Sequence, residues 1–188
     1  MGHEGELQRI RWTVDDYHRM GEVGLLGPED RVELIDGEII RMAPIGAPHA
    51  FCVSLLNTLL VRAVGDSAFV WIQNPVILSR HDEPQPDLLL LRPPQRRYQQ
   101  ALPTPSDVLL AIEVSVSTLR FDRDIKAPLY AKRGVAEFWI VDVRRRRVLV
   151  FDGAGEDGYA RCRELTAADL LSPAALPSVR LTVDDIVG

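Results

Sequence analysis

This sequence is poor in several features that mark whole protein classes. It has two cysteines in 188 residues, Cys52 and Cys162, which lie too far apart for a metal-binding pair, so we expect both to be buried, reduced apolar side chains. Its four histidines lack the spacing of a zinc site, and it has no glycine-rich loop of the kind that holds a nucleotide phosphate. An excess of positive charge is also missing. The net charge of −5 argues against a protein that coats nucleic acid through electrostatic attraction.

Long hydrophobic runs are missing as well. The longest apolar stretch, residues 51–64, is interrupted by polar residues and falls short of the roughly 20 apolar residues that span a bilayer. The first residues are polar and acidic and do not resemble a signal peptide. We therefore expect a cytoplasmic protein without a membrane partner.

What is present is the composition of an ordinary folded protein. Hydrophobic residues make up 46% of the chain, enough for a core, and the 26% of charged residues is typical of a soluble domain. No linker stands out. The length therefore predicts a single domain over residues 1–188, with a core at about 12–152 and a C-terminal strand and helix extension at 153–188.

Local patterns predict helices and strands along the whole chain. Thr13 and Thr182 each precede Val-Asp-Asp, as helix N-caps do, and Asp36-Gly37 between two apolar runs predicts a β-hairpin. Helices are expected at residues 13–20, 51–64, 121–132 and after 182, and strands at 31–35, 38–42, 68–72, 76–79, 87–91, 108–114, 137–143 and 147–151. This order predicts an α/β fold in which helices flank a central mixed β-sheet.

Two acids stand where buried strands should be apolar. Asp87 opens the apolar run 88–91, and Glu113 lies near the end of the run 108–114. A carboxylate in a buried strand is costly unless a cation compensates it. Together with Lys126 soon after, the two acids suggest a metal ion and a phosphate. Two structural alternatives stay open: a strand-entry cap for Asp87 and a buried salt bridge for Glu113.

These residues belong to a longer ordered pattern. Its pieces are Val32-Glu33-Leu34-Ile35-Asp36-Gly37-Glu38, His49, Pro86-Asp87, Glu113-Val114-Ser115, Asp122-x-x-x-Lys126-x-x-x-Tyr130 and Gly134-Val135-x-Glu137-Phe138-Trp139-x-x-Asp142. In this order they resemble the PD-(D/E)XK nuclease superfamily, and within it the Uma-type restriction endonuclease family, over about residues 12–152. The resemblance implies a restriction-endonuclease-like fold, a metal-dependent endonuclease that acts on DNA, and a homodimer or higher homo-oligomer.

The resemblance also implies the roles of the main site residues. Asp87, Glu113 and the Val114 carbonyl would bind Mg²⁺ or Mn²⁺, since such hard ions prefer oxygen ligands. The ion would activate the attacking water and neutralise charge on the phosphate. Lys126 would act as a fixed cation beside the phosphate, and Glu33 would be a third acid of the site. Glu33 could instead be an exposed hairpin residue, and Lys126 could be solvated on its helix.

Further residues fit the pattern less tightly. Ser115 stands where the superfamily name implies lysine, and Lys126 on the following helix fits the position that the lysine takes in the Uma-type family. Possible accessory residues are His49, Gln85, Asp122 and Tyr130. Three of them have a structural alternative: His49 at a helix entry, Asp122 paired with Lys126, and Tyr130 in the core. Gln85 could reach a phosphate or hold the metal shell.

Two other classes of function stay open. The first is a non-catalytic module with a nuclease fold that binds nucleic acid or a partner protein. The second is an assembly protein whose apolar sheet edge forms a dimer, with the acids in buried salt bridges. The arginine run 144–147 does not distinguish them, because a solvated hairpin turn is the ordinary structure for such a run.

Overall fold

The computed structural model describes residues 9–27 and 29–187 of the chain. Its helices are α1 (Val14–Glu22), α2 (Ala47–Val64), α3 (Leu119–Phe121), a π-helical turn (Asp122–Lys126), α4 (Ala127–Lys132) and α5 (Val183–Val187). Its strands are β1 (Val32–Ile35), β2 (Glu38–Arg41), β3 (Phe69–Ile72), β4 (Leu88–Leu91), β5 (Val108–Ser115), β6 (Glu137–Asp142), β7 (Arg147–Gly155), β8 (Gly158–Thr166), β9 (Leu170–Leu171) and β10 (Leu181–Thr182).

Six of these strands form the central sheet, in the order β3-β4-β5-β6-β7-β8. Strands β5 and β6 run parallel, and the other neighbouring pairs are antiparallel. A parallel pair needs a crossover connection, and the helical run from α3 to α4 supplies it. The mixed, helix-flanked sheet predicted from the sequence is confirmed. Strand β8 lies beyond residue 152, so the sheet includes part of the segment that the sequence analysis treats as an extension.

The two faces of the sheet carry separate hydrophobic layers. On one face, Leu56 and Leu60 of α2 belong to the same core as Ile112 of β5. On the other, Tyr130 of α4 packs on Phe138 of β6, with ring centroids 4.9 Å apart. Full burial of each such side chain contributes about 1.5–3 kcal/mol, so both layers hold the sheet between helices.

The alternation of side chains along β5 decides where its acid points. Ile112 and Val114 face the layer of α2, whereas Ala111 faces the layer of α4. Because successive side chains of a strand point to opposite faces, Glu113 lies on the same side as Ala111. The strand therefore directs this carboxylate toward the helical crossover.

Local turn chemistry works as expected in the first hairpin. Asp36 and Gly37 have φ values of 50° and 74°, the positive pair that a tight hairpin turn requires. The strands pair from Val32 with Arg41 to Ile35 with Glu38. The hairpin attaches to the rest of the fold through a bridge between Leu34 and Glu83, which brings β1 beside the segment before β4.

Two predicted elements differ from the structure. Residues 76–79 do not form a regular strand: the N–H groups of Leu78 and Ser79 donate to the Asp82 carbonyl within a local turn, so these two donors are satisfied without a neighbouring strand. The predicted helix over 121–132 exists, but the segment Asp122–Lys126 is a π-helical turn. Such turns alter the side-chain register of a helix and are frequent at functional sites.

Helix α2 is long and apolar. By length and composition alone, the 21-residue segment Ala47–Ser67 is long enough and apolar enough to cross a membrane, since an 18-residue stretch of it has a mean hydropathy of 1.3. In the folded chain, however, Leu56 and Leu60 of this helix are fully buried in the core. Only 28% of the apolar stretch is buried in the fold, and Phe51 and Val61 of the same helix are exposed.

The two cysteines lie in different environments. Cys52 of α2 is 2% exposed, and burial raises the pKa of its thiol to about 12. Cys162 of β8 is exposed, so the expectation that both cysteines are buried is wrong for this one. The reason is that β8 is the edge strand of the sheet, and most of its residues face solvent.

This contrast predicts selective alkylation. Iodoacetamide at mildly alkaline pH should modify Cys162 in the folded protein and leave Cys52 unmodified. Burial raises the pKa of both thiols, but Cys162 is exposed to the reagent, whereas Cys52 is buried and its pKa is about 12, so it supplies little of the reactive thiolate. Peptide mass spectrometry with and without denaturant measures both sites. Equal labelling of the two cysteines in the native protein would contradict the packing of α2.

Candidate functional site

Asp87 stands directly before β4 and is held by three neighbouring elements. Its Oδ2 atom accepts a hydrogen bond from the Val114 N–H of β5 at 2.8 Å and lies 3.1 Å from His49 Nε2 at the start of α2. Its Oδ1 atom accepts a hydrogen bond from Gln73 Nε2 at 3.3 Å. Only 8% of Asp87 is exposed. The carboxylate is therefore buried and oriented by partners from β5, α2 and the segment after β3.

Glu113 occupies the neighbouring strand and is equally buried. Its Oε1 atom accepts hydrogen bonds from Lys126 Nζ at 2.9 Å and from Tyr130 Oη at 3.4 Å. Both of these contacts use Oε1, and Oε2 takes part in none of the hydrogen bonds described for the chain. Burial raises the pKa of Glu113 well above its usual value, and the charge of Lys126 opposes that rise. A buried carboxylate of this kind is stabilised by any further cation that approaches Oε2.

Lys126, at the end of the π-helical turn, contacts two acids at once. Its Nζ atom lies 2.9 Å from Glu113 Oε1 and 3.0 Å from Glu33 Oε2, and the residue is 4% exposed. Burial disfavours its charge, but Glu113 and Glu33 outweigh that effect, so the pKa of Lys126 is raised. The ammonium therefore stays charged at neutral pH.

Glu33 reaches the site from β1 of the hairpin. Its Oε2 atom contacts Lys126 and also accepts a hydrogen bond from the backbone N–H of Gln85 at 3.2 Å. It is 3% exposed, so the alternative of an exposed hairpin residue is wrong. The bridge between Leu34 and Glu83 explains this, because it draws the inner face of the hairpin against the segment that contains Gln85.

Asp122 and Ser115 form a pair that the sequence analysis does not anticipate. Asp122 Oδ2 accepts hydrogen bonds from Ser115 Oγ at 2.6 Å and Thr118 Oγ1 at 2.7 Å. The alternative in which Asp122 pairs directly with Lys126 is wrong, since the ion pairs of Lys126 are with Glu33 and Glu113, and Asp122 Oδ2 bonds to the two hydroxyls instead. Ser115, at the superfamily's usual lysine position, thus ties the end of β5 to the π-helical turn.

Gln73, which was not predicted as a site residue, contacts Asp87. It follows β3 with a φ of 46°, a left-handed conformation that is uncommon for a residue other than glycine. Its side chain donates to Asp87, its N–H donates to the Asp87 carbonyl at 3.0 Å, and its carbonyl accepts from Gln85 Nε2 at 2.5 Å. The polar run Gln73-Asn74 after an apolar strand is the one local signal, and it indicates a turn without indicating a partner.

His49 and Tyr130 play different parts. His49 contacts Asp87 through Nε2, and this hydrogen bond raises the pKa of the imidazole against the opposing effect of burial. Its Nδ1 atom is buried and has no hydrogen-bond partner within the described part of the chain. Tyr130 is fully buried between Glu113 and Phe138, so it supports the site from within the core.

The predicted site residues, apart from Tyr130, line one cavity of about 410 Å³. Those that line it are Glu33, His49, Gln85, Asp87, Glu113, Val114, Asp122 and Lys126. Because the N–H and C=O of one strand residue point to the same side, the Val114 carbonyl is directed toward Asp87, whose carboxylate accepts the Val114 N–H. The fold therefore gathers side chains from β1, α2, β5 and the π-helical turn into a single site.

The arginine run is divided between this cavity and the surface of the sheet. Arg144 is exposed and lines the cavity. Arg147 pairs with Asp142 at 3.0 Å and with Glu164 at 2.5 Å, which fixes the turn between β6 and β7. The prediction of a solvated turn holds for Arg145, which is exposed. Arg144 is also exposed, but it lines the cavity as well.

The cavity has mixed chemistry. Four acids and Lys126 meet at its buried end, and no group of three or more His, Cys, Asp or Glu side chains is arranged to hold a metal ion among residues 9–27 and 29–187. Asp87 and Glu113 together with a main-chain carbonyl still amount to three oxygen donors. Such a set suits Mg²⁺, which usually takes one or two carboxylates and completes its shell with water and substrate phosphate.

Comparisons with known proteins address the family and the fold of this chain. No functionally curated protein matches the sequence. A solved structure from Anabaena variabilis ATCC 29413, described as "a putative nuclease belonging to DUF820", superposes with a TM-score of 0.74 at 16% identity, covering 93% of this chain and 97% of that one. The model of the Uma2 family, described as "Putative restriction endonuclease", matches residues 14–184. A match over that much of the sequence means that the chain belongs to the Uma2 family.

Proposed function

We propose that this protein is a Mg²⁺- or Mn²⁺-dependent nuclease that hydrolyses DNA phosphodiester bonds by direct attack of water, without a covalent intermediate. The observation that carries the proposal is the meeting of two buried carboxylates, Asp87 and Glu113, with a buried lysine in one cavity. Burying three ionisable groups together is costly for a purely structural core. The pKa values of Glu113 and Lys126 are both raised, and buried groups with shifted pKa values in a cavity are often catalytic.

The donors present fit a hard divalent ion. Asp87, Glu113 and the Val114 carbonyl would hold it, since all three face the cavity and Glu113 Oε2 is unused by the protein contacts described above. When bound, the ion would neutralise charge on the phosphate and lower the pKa of a coordinated water. The net charge of −5 adds to this argument, because an acidic chain needs a local cation to admit a phosphodiester.

The chain's own residues supply the rest of the chemistry. Lys126 offers a charged ammonium at a fixed position, which stabilises negative charge that develops on the phosphate. Glu33 is the second carboxylate in contact with Lys126, and together with Glu113 it fixes the position of the ammonium. Val114, His49 and Gln73 orient Asp87, and preorientation of this kind removes a rearrangement from the reaction path.

Incubation of the purified protein with DNA tests the proposal. Supercoiled plasmid and single-stranded circular DNA should be offered separately, each with Mg²⁺, with Mn²⁺ and with EDTA. We expect cleavage of at least one substrate with either metal and no cleavage in EDTA, read by gel electrophoresis. If a folded protein leaves both DNAs intact with both metals, the nuclease proposal fails and the non-catalytic binding module becomes the better explanation.

A further inference from the structure

The acids of the site lie deep inside the cavity. Glu113 is 5% exposed and Asp87 is 8% exposed, and the cavity that leads to them measures about 410 Å³. That volume is in the range of about 300–1,000 Å³ found for pockets that enclose a small molecule. A phosphodiester that contacts these carboxylates therefore has to enter this cavity.

The exposed part of the cavity lining carries cations from separate elements. Arg31 and Arg41 stand at the open end of the β1–β2 hairpin, where Val32 pairs with Arg41. Arg144 comes from the turn after β6. Arginine side chains placed this way suit phosphates that flank a central one, because the guanidinium group binds phosphate oxygens in pairs. The charges therefore favour a chain of phosphates that passes over the cavity.

The same cavity has an apolar wall. Met42 and Ile45, from the segment after β2, line it together with Phe121, which precedes the π-helical turn. Ile45 is 44% exposed although it is large and hydrophobic. Arg31 Nη1 donates to the Ala43 carbonyl at 3.1 Å and holds this segment against the hairpin. Apolar side chains beside a phosphate site give an unstacked base a surface to contact.

These features disfavour an intact duplex as the occupant. The bases of a duplex are stacked and paired inside the helix, so a base meets this wall only after its nucleotide leaves the stack, at a cost in stacking and pairing free energy. A single strand has no pairing to lose, and its nucleotides are free to enter one at a time. We propose that the site acts on single-stranded or locally unpaired DNA, which rests on the nuclease activity proposed above.

The test compares one labelled DNA strand in three forms: alone, fully paired, and paired except for a central bubble of mismatches. Initial cleavage rates are measured with Mg²⁺ or Mn²⁺. We expect the single strand to be cut about 100-fold faster than the duplex, and cuts in the third substrate to fall within the bubble. Equal or faster cleavage of the full duplex would overturn the inference and leave the nuclease proposal standing. Absence of cleavage in all three forms would instead overturn the nuclease proposal.

A matched pair of variants tests the arginines of the lining. Arg144→Ala should raise KM for the single strand about tenfold, since a charged hydrogen bond to phosphate is lost. Arg145→Ala removes the same charge from an exposed neighbour in the same turn that is not part of the cavity lining, and it should leave KM unchanged. Equal effects of the two substitutions would overturn the assigned path of the strand over Arg144, because they would reflect general charge alone.

Discussion

Replacing Lys126 with methionine is expected to lower the free energy of unfolding by about 3–5 kcal/mol, because it leaves two buried carboxylates without their shared cation. Glu113 and Glu33 lie 2.9 and 3.0 Å from the ammonium and are nearly inaccessible to water. Urea denaturation followed by circular dichroism measures the change. Methionine preserves the length of the side chain, so lost packing contributes little to the result.

A triple variant separates charge from packing in this experiment. When Lys126→Met is combined with Glu33→Gln and Glu113→Gln, no buried charge remains among the three, and most of the lost stability should return. All forms that lack Lys126 should also fail to cut DNA. If Lys126→Met alone stays within about 1 kcal/mol of the wild type, the lysine behaves as a solvated surface residue and the buried triad is wrong.

Replacing Asp87 with asparagine should reduce DNA cleavage by about 10³-fold or more while the fold is retained. The substitution removes an anionic ligand for the proposed metal, whose contribution to transition-state stabilisation amounts to several kcal/mol. The asparagine carbonyl can still accept the Val114 N–H, so the junction of β4 and β5 should stay intact. Cleavage rates over a range of Mg²⁺ concentrations test the loss of activity, and a thermal melt of each protein tests whether the fold is retained.

Gln73→Ala provides a graded comparison for Asp87→Asn. The alanine keeps a side chain at a φ of 46°, so backbone strain is unchanged and only the amide that holds Asp87 is lost. Loss of such an outer partner typically weakens metal affinity or activity by about 10–100-fold, a smaller effect than loss of the ligand itself. Asp87→Asn cleaving at the wild-type rate would show that the metal ligands are assigned wrongly.

Much of the fold could be predicted because its signals are local. Thr13 caps α1 through a hydrogen bond with Asp16 three residues away, and Asp36-Gly37 makes its turn within the same hairpin. Residues 76–79 show the limit of this reasoning. They begin with three apolar residues, as a short buried strand does, but whether a partner strand lies beside them is decided by the rest of the chain. Instead, the N–H groups of Val76 and Ile77 donate to the carbonyls of Pro84 and Pro103, and those of Leu78 and Ser79 donate to the Asp82 carbonyl in a local turn.

Some residues of the site could likewise be predicted from local sequence, and others could not. Asp87 and Glu113 could be found from the sequence because a carboxylate in an apolar strand is costly wherever the strand lies. Gln73 could not, since its contact with Asp87 spans 14 residues and begins at a backbone conformation that glutamine rarely adopts. The partner of Asp122 could not be predicted either. On an ordinary α-helix, Asp122 and Lys126 are four residues apart and would be neighbours, whereas in the structure they lie in a π-helical turn and Asp122 bonds to Ser115.

The sequence by itself determined most of the strands and helices up to residue 151, the two acids in the sheet and the order in which they occur, since each depends on the properties of neighbouring residues; the strands β8, β9 and β10 were not predicted. Tertiary structure alone decided that Glu33 joins Glu113 around Lys126, that Gln73 and His49 hold Asp87, and that an arginine-lined, partly apolar cavity surrounds them. These contacts join residues far apart in the chain. Their free energy depends on distance and burial in the folded state, which no local pattern contains.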